Sequence, residues 1–85
     1  MNRYGQQAME HWQTTMPQRV RDLPDPVQFF TQLGEELETA VEELSRTLAG
    51  QAPSGEGYLQ RVQRLTTARF EAEGQVLREM LLTVR

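Results

Sequence analysis

The chain contains no cysteine, no lysine and no isoleucine. Without cysteine there are no disulfides and no thiol chemistry. Without lysine, nucleophilic catalysis loses a second candidate, and the glycine-containing stretch Ser54-Gly55-Glu56-Gly57 cannot serve as a phosphate loop. Histidine occurs once, as His11, and serine twice, as Ser45 and Ser54, too few for a Ser-His-Asp constellation without coincidence across the fold. Long apolar runs are also missing. The run Met80-Leu81-Leu82 is far too short to cross a bilayer, and the N-terminal stretch MNRYGQQAMEHW lacks the apolar core of a signal peptide. These absences point away from an enzyme and toward a soluble, cytoplasmic protein with no membrane partner, no cofactor and no small-molecule substrate. The all-arginine basic set suggests a GC-rich bacterial genome, a phage or a mobile element.

The charges that are present are unevenly spread. The net charge is −3. Residues 25–53 carry six acids against Arg46 alone, while the flanking segments are each slightly basic. Phosphate binding needs clustered cations, so direct contact with nucleic acid is not expected of the acidic middle.

Apolar spacing divides the chain into helices. Tyr4, Ala8 and Trp12 recur at four-residue steps and predict a short helix over 2–15. Pro17, Pro24 and Pro26 punctuate a linker over 16–25, with room for one helical turn after Pro17. Asp25 as N-cap, Pro26 at the first helical position and Gln28 two residues on form a start signal. From there Val27, Phe30, Leu33, Leu37, Ala40, Val41, Leu44 and Leu48 trace a helical stripe to a stop at Gly50 and Pro53, predicting a helix over 26–49. A turn over 50–55 then leads to a last helix over 56–84. No strand pattern occurs. The fold class is all-α, an antiparallel helical hairpin of two long helices with a shorter N-terminal helix, within a single domain.

An antiparallel hairpin can be checked for register. Leu48 with Tyr58, Leu44 with Val62, Val41 with Leu65, Phe30 with Val76 and Leu33 with Ala72 all come level in one arrangement, which predicts that these pairs form the seam. Arg69 interrupts that seam and is expected to reach Glu73 one turn on, or Glu38 across the gap. Gly34 and Gly74 fall at similar heights; they are either two tolerated exposed positions or a notch that Trp12, Tyr4 or a partner's side chain could fill.

Several groups remain as functional candidates. The fourth segment has a second apolar edge, Leu59, Phe70, Leu77 and Leu81, that the third cannot wholly cover; either the first helix or a second chain is expected to cover it. Tyr4, Trp12, Phe70, Leu77 and Leu81 are the expected anchors for another protein or a second copy of the chain. His11 lacks the converging ligands a metal site needs. Arg19 and Arg21 form a small basic group that could touch a phosphate or an acidic partner. Glu35, Glu36, Glu38, Glu42 and Glu43 form an acidic face that could imitate nucleic-acid charge and occupy a basic groove in a nucleic-acid enzyme. The expectation is therefore a non-enzymatic interaction module: a regulator, adaptor or assembly factor, with an acidic inhibitor as the alternative. The chain is similar to the small helical hairpins of type VII secretion in size and antiparallel form. It lacks the Trp-x-Gly turn that defines them, because its turn reads AGQAPSGEG and Trp12 lies far away.

Overall fold

Four helices account for nearly all of the described chain. The computed structural model describes residues 1–82, with side chains through Met80. The helices are α1 (Arg3–Thr15), α2 (Pro17–Arg21), α3 (Pro26–Ala49) and α4 (Tyr58–Leu82), and α3 and α4 pack against each other. The hairpin with an added N-terminal helix is thus the fold, and no strand occurs among the described residues. Val84, expected near the end of the last helix, lies outside the described residues. By its contacts the chain divides into two compact units, Met1–Glu38 and Thr39 onward.

The start and stop signals of α3 act as their chemistry dictates. The Asp25 carboxylate accepts from the Gln28 N–H at 3.1 Å, and the Asp25 carbonyl accepts from the Phe29 N–H. The side-chain bond uses an amide donor that a helix start otherwise leaves orphaned, and the main-chain bond is the first of the helix ladder. At the far end Gly50 adopts φ +64°, the left-handed conformation that closes a helix and that costs glycine nothing.

In the first unit, α1 is held on α3 by a contact between small residues. An added Cβ on Gly5 would stand 2.5 Å from the Phe30 carbonyl oxygen, and one on Gly34 would stand 2.8 Å from the Gly5 nitrogen. The two backbones therefore touch. Asn2 makes this contact polar as well as close. Its Oδ1 caps α1 by accepting from the Gly5 N–H at 2.9 Å. Its Nδ2 donates to the Gly34 carbonyl and to the Glu38 carboxylate, each at 2.9 Å. The notch expected of Gly34 and Gly74 together does not form; Gly34 alone is filled, by Gly5 and Asn2 rather than by Trp12 or Tyr4. Gly74 takes no part, since its position is exposed and meets only the tip of Arg78. Tyr4, Ala8, Phe30 and Leu37 are the buried apolar side chains of this unit.

In the second unit, Val41, Ala68, Ala72 and Val76 are buried. The expected pairs Leu48–Tyr58, Leu44–Val62 and Val41–Leu65 are not the seam. Tyr58, Val62 and Leu65 are exposed while Val41 is fully buried. Leu48 instead borders the same groove as Gln60, Arg64 and Ala68. The register is displaced by about two helical turns. The cause is the connection, which runs through Gly57 rather than ending at residue 55, and which is clamped from α4. Arg64 reaches back to Glu56 with two bonds, 2.7 Å from Nε and 3.2 Å from Nη2. Its Nη1 donates to the Ala49 carbonyl at 2.7 Å. A cation on the last carbonyls of α3 also suits the negative end of that helix. Arg64, not Tyr58, thereby comes level with the end of α3, and the first turns of α4 extend past it.

The clamp sets an acid sensitivity. The Arg64 hydrogen bond holds the Glu56 carboxyl below its usual range near 4.5, against a smaller opposing effect of burial. A depressed folded value means the clamp stabilises in full above the usual range and loses that contribution as pH falls through the folded value. Glu56→Gln should therefore be less stable than the parent in urea unfolding at neutral pH, and the gap should close in strong acid. A gap of equal size at both ends would show that the carboxylate charge has no part in holding the loop.

Candidate docking face on helix 4

The features that expose α4 also define its free surface. A helix packed along one side presents the opposite arc to solvent, and polar residues normally fill that arc. On α4 they do not. Tyr58 is 80 % exposed, Leu59 74 % and Phe70 78 %. Val62 and Leu65 are exposed between them, and Leu77 and Met80 are half-buried further along the helix. At 100° per residue, Leu59, Val62, Thr66, Arg69, Phe70, Glu73, Leu77 and Met80 fall within one arc; Leu59, Phe70 and Leu77 lie farthest from the buried line Ala68, Ala72 and Val76, Arg69 borders that line, and Tyr58 and Leu65 fall on its side of the helix. Large apolar side chains standing singly on a surface are ordinary; a run of them along one helix marks a contact surface.

The middle of this arc is charged. Arg69 Nε lies 3.4 Å from Glu73 Oε1, and both side chains remain partly exposed. With Leu65, Thr66 and Phe70 they line an open hollow of about 390 Å³. Arg69 thus reaches Glu73, one of the two destinations expected for it.

The remaining candidates are distributed differently from the sequence expectation. Tyr4 is buried, so it is no exposed anchor; the Arg3 guanidinium lies 5.0 Å over its ring and donates to its hydroxyl at 3.1 Å. Trp12 is half-buried against Phe29 and Phe30, with ring centroids at 5.2 and 5.5 Å. Both side chains of α1 serve the first unit, because their helix is drawn close by the glycine contact. Phe70 and Leu77 lie on the α4 arc, and the Leu81 side chain lies outside the described residues. Of the acidic residues, Glu35 and Glu36 are exposed in the first unit, and Glu42 and Glu43 in the second. Glu38 is engaged by Asn2. Arg19 sits 5.9 Å from the Trp12 ring centroid, and Arg21 donates to Gln18 at 2.8 Å. His11 is half-buried on α1, and no group of three metal-ligating side chains occurs among the described residues. No described helix is long and apolar enough to span a membrane.

Tyr58, Val62 and Leu65 were assigned to seam pairs by their spacing and are exposed instead; of the three, Val62 lies on the arc, while Leu65 borders a groove with Ser45, Arg46 and Ala49 of α3. The signal that could have moved them is the connection itself, where Glu56 precedes Arg64 by eight residues across a glycine-flanked helix start. Compared with known families, characterised proteins and solved structures, the chain matches none.

Proposed function

We propose that this protein is a non-enzymatic interaction module that receives an apolar helix of a partner protein on the exposed arc of α4. One observation carries the reading: Leu59 and Phe70 stand almost wholly in solvent on one side of a helix whose other side is already buried. Covering a large apolar side chain is worth about 1.5–3 kcal/mol before ordering costs are subtracted, so these positions hold unrealised binding energy. Aromatic side chains supply much of the energy at interfaces, and Phe70 is the ring the arc offers. A helix laid along the arc would meet Leu59, Val62, Phe70 and Leu77 at the spacing that helix-in-groove recognition uses.

The test is placement of a photo-reactive group. With Phe70 replaced by p-benzoylphenylalanine in the full chain, irradiation in cells of the source organism should yield a protein adduct. The same group in place of Glu35, an exposed residue away from the arc, should yield none. Absence of an adduct from position 70 and also from position 59 would overturn the reading.

A further inference from the structure

Resting on that reading, we infer that the helix received by α4 is α4 of a second copy, laid antiparallel across it. Midway along the arc stand a cation and an anion one helical turn apart, Arg69 with its side chain 45 % exposed and Glu73 with its side chain 25 % exposed. Apolar residues flank this pair on both sides: Leu59 and Val62 before it, Leu77 and Met80 after it. Such a sequence is complementary to its own reverse. With a two-fold axis level with residue 71, Arg69 meets Glu73 of the second copy and Glu73 meets Arg69 of the second copy. Val62 comes level with Met80 of the second copy, and the two Phe70 rings approach each other beside the axis. A two-fold contact uses one patch twice, so each favourable pairing occurs twice.

The charges also select this direction. A parallel, in-register pair would set Arg69 against Arg69 and Glu73 against Glu73, and like charges face to face disfavour association. The antiparallel pair sets Arg69 and Glu73 of each copy across from their opposites, beside the pairings they already make within the chain. Phe70 supplies the apolar centre that excludes water from them. A single helix face is smaller than the roughly 800 Å² per partner of a standard stable interface, so the dimer should be concentration-dependent rather than obligate.

Sedimentation equilibrium on the full chain, 9.8 kDa as a monomer, reads the mass against concentration. The mass should rise toward twice the monomer value as concentration increases. Arg69→Glu alone and Glu73→Arg alone should each weaken association by about tenfold or more, since each places like charges across the axis twice. An equimolar mixture of these two single variants should associate again, because each then faces its opposite. Val62→Cys mixed with Met80→Cys should form a disulfide between copies, in a chain with no cysteine of its own to compete. A wild-type mass that stays monomeric at every concentration overturns self-docking. A dimer indifferent to both charge reversals overturns this register. The photo-cross-link separates the two levels of the reading. An adduct of two identical chains supports both, an adduct with a different protein keeps the docking face and removes the second copy, and no adduct removes the face itself.

Discussion

Gly34→Ala should destabilise the protein by about 1–3 kcal/mol, the usual cost of forcing atoms into a filled site, although alanine is the better helix former. The added Cβ would lie 2.8 Å from the Gly5 nitrogen and 2.9 Å from its Cα, and it would press on Asn2 Oδ1. Two of these three atoms are backbone, so no rotamer change relieves them. The N-terminus of α1 has to lift. Lifting it stretches the Asn2 bonds to the Gly34 carbonyl and the Glu38 carboxylate and uncovers the cap on Gly5. Gly5→Ala should act in the same direction, because its Cβ would stand 2.5 Å from the Phe30 carbonyl oxygen. Gly74→Ala is the internal comparison. It meets nothing closer than the Arg78 guanidinium at 3.9 Å, so the helix propensity gain of about 1 kcal/mol should appear undiminished. Urea unfolding of the three variants gives opposite signs if α1 rests on α3 as described. If Gly34→Ala gains stability as Gly74→Ala does, the backbones are not in contact.

The contrast between these glycines shows what spacing conveys and what it does not. That something fills the notch at Gly34 follows from a missing side chain on an otherwise well-formed helix. What fills it depends on Asn2, a polar residue outside any apolar stripe, and periodicity is silent about polar contacts between helices. The bounds of α3 were legible because Asp25, Pro26 and Gly50 each act through the backbone within a few residues. The register of α4 on α3 was not. A stripe that recurs at three- and four-residue steps repeats itself after about two turns, so a seven-residue slip returns the same faces to each other. Val41 can look toward Leu65 in one register and toward Ala72 in the other. The choice is made by Glu56, Arg64 and the Ala49 carbonyl, a polar clamp that lies at the bend. Because the slip moves Val62 out of the seam, the same unread clamp also hid that part of the docking face. Phe70 and Leu59 were legible as unpartnered because no register of α3 could cover that edge.

Phe30→Ala should give the largest loss of stability among single substitutions, about 3–5 kcal/mol, whereas Phe70→Ala should fall within about 0.5 kcal/mol of the parent. The two residues have the same side chain and opposite surroundings. Phe30 is fully buried, with the Trp12 ring edge-on at 5.5 Å and the Phe29 ring perpendicular at 5.0 Å. Truncating it leaves a cavity that Trp12, still gripped through α1, can only partly fill, and a loss of that size approaches the whole stability of a small domain. Trp12 is the only tryptophan, so its fluorescence reports on this cluster directly and should shift to the red in Phe30→Ala while staying unchanged in Phe70→Ala. Phe70 has no such enclosure, being 78 % exposed, and its removal uncovers little. The functional consequence runs the other way. Phe70→Ala should leave a folded chain that has lost its central anchor, so weakened association in that variant reports on docking and not on folding. Weakened folding in Phe70→Ala, measured at concentrations where the chain is monomeric, would mean that the arc is covered within the chain and that α4 has no free face to offer.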